Sequence, residues 1–210
     1  RIGTTPDDEP QKKQLPKPSP ALVKVLLVLV VVGALVLGAI RIIPQLVGDE
    51  ATGDPFTRPW TTYTAPDGSF TALAPGVPST DTVALPQPDG KTLTEVDYSF
   101  LTAEHSQVIV NVVPLRAGTV PSTNLLQLAV AGLGERGIAI DGQTPSTFGQ
   151  TPALSFSGTW KRDDLTYDVE GRTFIVGERL FVVTGTEATG AVRTPAGYYE
   201  RFLESFAPGA

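Results

Sequence analysis

The 210-residue sequence has no cysteine, no methionine and one histidine, His105. Without thiols there are no disulfides, thiol redox motifs or iron–sulfur ligands, and no cysteine for a bacterial lipoprotein anchor. One imidazole excludes zinc or copper sites built on two histidines, and bis-histidine haem. The chain is therefore expected to bind no cofactor and to carry no electrons.

Little else is equipped for catalysis. His105 falls in TAEHS, between two strand-like stretches. To serve as a base it needs a serine at hydrogen-bond distance and an oxyanion hole. There is no GxSxG elbow, and Ser157 lies mid-strand in SFSGT, where a nucleophile is poorly presented. His105 therefore reads as a solvated turn residue. Asp163 and Asp164 are adjacent in a turn, and Asp168 and Glu170 share one strand face. Oxygen ligands of this kind suit calcium, but no D-x-D-x-D-G loop is present, so they read as solvated acids. The glycines of AGLGERG close a helix rather than following a strand as a phosphate loop does. No enzymatic activity is expected.

What is present is one long apolar run, ALVKVLLVLVVVGALVLGAIRII, Ala21 to Ile43. Between Lys24 and Arg41 no side chain is charged or strongly polar. As a helix the segment measures roughly 35 Å at about 1.5 Å per residue, enough to cross a hydrocarbon core of about 30 Å. Lys24 and Arg41 can snorkel to the headgroups. A buried helix of a soluble protein keeps a polar face, and a cleaved signal peptide has a shorter apolar region and a small-residue cleavage site. An uncleaved transmembrane anchor is the expectation.

Lys12, Lys13 and Lys17 precede the run, so the N-terminal side is expected to be cytoplasmic and the remainder extracytoplasmic. Residues 1–48 carry a net charge of +3 and residues 49–210 a net charge of −9. A domain this acidic is repelled by nucleic acid, so none is expected as a partner. Within the run, Gly33, Ala34, Gly38 and Ala39 form a small-residue stripe that lets another membrane helix approach closely. The expected partners are integral membrane proteins at that stripe and lipid around the helix.

Four regions follow. Residues 1–20 hold five prolines and almost no large apolar side chains; alone they cannot offset their ordering entropy and form a tail. Residues 21–43 are the span, and 44–59 a linker rich in Gly, Pro and Asp. Residues 60–210 are the size of one domain. There, KTLTEVDYSFL alternates at Val96, Tyr98 and Phe100 as a half-buried strand does, and QVIVNVVPL reads as a central strand. The period then changes. Leu125, Leu126, Ala129, Val130 and Leu133 form a helical stripe, with Ser122 or Thr123 as its cap and Gly137 at its end. Further strands follow, Leu154, Phe156 and Trp160 sharing a face, and Gly177-Glu178 reads as a hairpin loop. Thr194-Pro195 reads as the start of a closing helix bearing Tyr198, Tyr199, Phe202, Leu203 and Phe206. This order argues α+β, two helices packed on an antiparallel sheet.

The stretch FTALAPGVP from Phe70 resembles the opening strand of small PsbP-like α/β sandwiches. GERLFVVTG from Gly177, followed by YYERFLESF from Tyr198, resembles their closing hairpin and helix. The resemblance covers most of residues 60–206, and its motifs are chiefly structural. It implies a PsbP-like sandwich serving as an accessory module on a membrane complex, without enzymatic activity. The anchor and the Ala/Val/Gly/Pro-rich composition look actinobacterial. In that group, single-span proteins of this layout occur as accessory subunits of the respiratory cytochrome bcc–oxidase supercomplex. The expected function is thus a non-catalytic accessory subunit. The alternative is an extracytoplasmic ligand-binding or cell-envelope module offering an apolar cleft.

Overall fold

The computed structural model describes residues 59–86, 90–103, 105–162, 164–189 and 197–209. The run from Ala21 to Ile43, with Gly33, Ala34, Gly38 and Ala39, lies outside them, as do the tail and nearly all of the linker. Among the described residues no helix is long and apolar enough to cross a membrane.

Ten strands and two helices are described. They are β1 (Thr61–Thr64), β2 (Phe70–Ala74), β3 (Ser79–Pro86), β4 (Thr92–Ala103), β5 (Ser106–Pro114), α1 (Thr123–Glu135), β6 (Ile138–Phe148), β7 (Thr151–Arg162), β8 (Leu165–Val176), β9 (Arg179–Ala188), α2 (Tyr198–Ser205) and β10 (Ala207–Pro208). Seven strands form an antiparallel sheet in the order β3-β4-β5-β9-β8-β7-β6, and β1-β2-β10 form a small second sheet. β5 is a central strand as read, paired with β4 on one side and with β9, the middle of the seven, on the other. A middle strand buried on both faces reads as a continuous apolar run, and RLFVV fits that description as well as QVIVNVV does.

Each face of the large sheet has its own core. Leu180 and Val182 of β9 join Leu126, Val130 and Leu133 of α1, together with Phe156 and Trp160. The alternate residues Phe181 and Val183 join the small sheet and α2 through Phe70, Phe202 and Phe206. Period-two alternation thus feeds two cores rather than a core and solvent.

Both helices bury the residues their spacing predicts. Ser122 caps α1, its hydroxyl accepting from the Leu125 N–H at 3.3 Å. Gly137, just past the helix, has φ of 88°, the left-handed conformation that ends helices without steric cost for glycine. α2 differs from the reading at its start. Gly197 is its N-cap, also in the left-handed region, so the helix does not run on from Pro195; Thr194 and Pro195 lie outside the described residues. The Tyr198 and Tyr199 hydroxyls donate to the Thr186 and Val183 carbonyls, both at 3.2 Å, fastening α2 to β9. Gly185 makes room there, because a Cβ on it would lie 2.9 Å from the Tyr199 ring.

Gly158 is held to its identity by backbone rather than by a side chain. β6 carries a register shift between Ile140 and Gly142 opposite it, and a Cβ at Gly158 would meet the Ala139 carbonyl oxygen. A neighbouring backbone cannot rotate away, so Gly158→Ala is expected to destabilise the domain by about 2–3 kcal/mol, the upper range for overpacking. Gly68→Ala places its Cβ in open space, and its strain comes only from a positive φ, so it should cost less. Urea denaturation of the two variants compares them directly.

Candidate functional site

The most concentrated polar chemistry among the described residues lies beneath the end of α1. Glu95 and Asp97 alternate with Val96 along β4 and both face α1. Glu95 is 1% exposed and Asp97 8%. Arg136, the residue closing α1, directs Nη2 at both Glu95 oxygens, at 3.0 and 3.1 Å. Asn111 of β5 donates to Asp97 Oδ1 at 2.6 Å, which sets a second buried carboxyl beside Glu95. Beside them is a cavity of about 20 Å³, lined by Glu95, Asn111, Leu133, Arg136 and Val182 among others. That volume holds about one water molecule.

One guanidinium faces two buried carboxyls. Neutrality at this depth requires that the pair keep one proton, because an uncompensated buried charge is strongly disfavoured. Burial accordingly pushes the Glu95 carboxyl up to about 8 and raises Asp97 as well. The arrangement can hold a proton and clamp α1 to β4 and β5. A cavity of one water's size between sheet and helix does not admit an organic substrate.

The proton has a thermodynamic consequence. In the unfolded chain Glu95 titrates in the ordinary carboxylate range, so between that range and about pH 8 the folded protein holds a proton that the unfolded chain releases. Its stabilising contribution is fully present below the unfolded value and is lost as pH rises through the folded one. The urea midpoint should therefore fall from pH 5 to pH 8, and Glu95→Gln, which cannot titrate, should flatten that slope.

The residues weighed from sequence fall elsewhere. His105 is exposed at the β4–β5 turn with φ of 60°, a left-handed conformation that histidine tolerates better than most residues. Asp164 is exposed at the β7–β8 turn, whereas Asp163 lies outside the described residues. Asp168 and Glu170 share a face of β8 as read, with Asp168 directly opposite Glu187. Burial, then the nearby Glu200 and Glu187 carboxylates, raise Glu170. Among the described residues no group of three or more His, Cys, Asp and Glu is placed to hold a metal ion. Ser157 lies within β7, as read.

Sequence reasoning missed the Glu95–Asp97–Asn111–Arg136 cluster. β4 reads as half-buried because Val96, Tyr98 and Phe100 mark one apolar face, leaving Glu95 and Asp97 for solvent. The signal available was Asn111, a lone amide inside the apolar run QVIVNVVPL. A polar side chain on a buried strand needs a partner, and the adjacent strand offers only acids at that level.

No protein-family model matches the sequence, and no curated protein matches it either. Among solved structures, the cyanobacterial PsbP protein CyanoP of Synechocystis superposes with a TM-score of 0.50 at 9% identity, covering 75% of this chain and 95% of that one. The fold is PsbP-like. LpqN of Mycobacterium tuberculosis, described as involved in cell envelope biogenesis, has a TM-score of 0.39 at 17% identity, covering 70% of this chain and 98% of its own. The PsbP-like domain comprises both sheets and both helices, and the opening FTALA and closing RLFVVTG strands quoted above are its β2 and the body of β9.

Proposed function

We propose that the protein is a single-pass membrane protein whose PsbP-like domain serves as a non-catalytic accessory subunit of a larger membrane assembly. The N-terminus is cytoplasmic and the domain extracytoplasmic. The observation that carries this reading is the filled interior. Both cores are occupied by the domain's own side chains, and the polar cluster beneath α1 lines a cavity of only one water's size. A module that binds a lipid or peptide in a cleft needs several hundred Å³, so the envelope-binding alternative is the weaker one. The apolar run from Ala21 to Ile43 supports anchoring, and its stripe of Gly33, Ala34, Gly38 and Ala39 is the proposed contact for a partner's helix. With no thiol, thioether or second imidazole in the chain, its role in a respiratory assembly such as a bcc–oxidase supercomplex is to steady neighbours rather than to relay electrons.

The test is purification of the tagged full chain at native expression in a mild detergent. Stoichiometric co-purification of integral membrane subunits is the expected result, weakened by Gly38→Leu. Recovery as a clean monomer rejects the reading.

A further inference from the structure

Among the described residues four large apolar side chains are exposed, Val77, Leu101, Val120 and Leu165, and the first two lie near each other. Val77 is 88% exposed and Leu101 61%. Val77 stands two residues before Ser79, and Leu101 two residues after Ser99, the residue that pairs with Ser79. They therefore mark the same end of the β3–β4 ladder. Ile109, opposite Ser99 on β5 and half-buried, extends the apolar strip.

The chain joins the domain at this same corner. Thr61 pairs with Ala74, three residues before Val77, so the chain enters beside the end of the ladder that Val77 and Leu101 mark. Trp60, half-buried, stands just ahead of β1, with the Arg201 guanidinium 4.6 Å from its ring centroid. Tryptophan and arginine are side chains that settle at a membrane–water interface. The corner thus gathers Trp60, Arg201, Val77 and Leu101 where the segment from the apolar run arrives.

We propose that this corner rests on the lipid bilayer, with Val77 and Leu101 dipping into the headgroup region. The inference relies on the transmembrane reading of residues 21–43. Given that anchor, a segment of about fifteen residues with the coil reach of a Gly-rich composition spans roughly 20 Å on average. The corner is then held near the surface at an effective concentration in the millimolar range. Tethered in this way, two shallow apolar contacts suffice to orient the domain at the surface. The net charge of −9 on residues 49–210 disfavours an anionic surface, which makes zwitterionic lipid the fitting partner.

The absence of cysteine gives a clean test. Single replacements Val77→Cys, Leu101→Cys and Val120→Cys in the full chain each accept one polarity-sensitive nitrobenzoxadiazole label. Val120 is 78% exposed, but its loop leaves the far end of β5, where Leu115 bonds to Glu178. Leu35→Cys reports on the apolar run itself. In phosphatidylcholine nanodiscs containing lipid spin-labelled near the headgroup, labels at 77 and 101 should be quenched at least twofold more than at 120, and the label at 35 is read in parallel with lipid spin-labelled at mid-chain. Equal quenching at all three positions, with a strongly quenched label at 35, overturns the docking and leaves the anchor standing. An unquenched label at 35 removes the anchor and the docking together. Labels at 77 and 101 that are shielded only in complexes drawn from native membranes overturn a lipid contact and assign the corner to a protein.

Discussion

Replacing Phe206 with alanine is expected to destabilise the domain by about 3–5 kcal/mol, the range for truncating a fully buried aromatic. Phe206 follows α2 and precedes β10, and is 5% exposed. Its ring stacks on Phe70 at 4.9 Å and stands edge-on to Phe181 at 5.6 Å, Phe174 at 5.9 Å and Phe148 at 6.0 Å. Those partners come from the small sheet and from three strands of the large one. One side chain therefore joins the layers on this face, and its loss leaves a hole that rings anchored in different strands cannot close. Phe206→Leu keeps much of the volume and should cost less than half as much. Urea denaturation at constant pH measures both, with an unchanged m-value showing that the folded state itself is retained. An alanine variant within 1 kcal/mol of the parent contradicts the role described.

The second large effect is expected at Arg136. Substituting methionine keeps the length of the side chain but leaves Glu95 and Asp97 buried without a cation. Breaking a buried pair from one side costs about 3–5 kcal/mol, because the remaining charge has neither water nor a partner. Protonation relieves part of that cost, so Arg136→Met should be most damaging at high pH and mildest in acid. Its stability should fall more steeply between pH 5 and 8 than that of the parent. The double variant Asp97→Asn with Arg136→Met removes the buried carboxylate together with the cation, leaves Glu95 protonated and should recover much of the loss, since no buried charge is then left unpaired. A double variant no more stable than the single one contradicts the pairing. Together with Glu95→Gln, these variants separate the proton held by the cluster from the packing of α1.

Much of the architecture is legible in the chain because it rests on local periodicity. The stripe from Leu125 to Leu133, the Ser122 cap and the Gly137 stop specify α1 within sixteen residues. The Gly177-Glu178 turn and the alternation of Leu154, Phe156 and Trp160 follow from rules equally short in range. The PsbP-like fold was recognisable from β2 and from the closing hairpin and helix. One reading failed because alternation shows that a strand has two faces but not what covers the second. α1 covers the second face of β4, so Glu95 and Asp97, read as solvent-facing, are interior. Which strand lies at the middle of the sheet depends on pairing between residues some seventy positions apart, which no local pattern encodes.

The sequence by itself determined the chemistry closed to this protein, the charge asymmetry about its apolar run and the α+β character of residues 60–210. These follow from which atoms the side chains carry and from spacings of two to four residues. Tertiary structure alone decided that Glu95, Asp97, Asn111 and Arg136 meet beneath α1, and that Val77 and Leu101 mark the same end of the β3–β4 ladder. Both depend on strand register and on which layer covers which face. Those are set by the summed burial of two cores across the whole domain, and no short stretch of residues contains that sum.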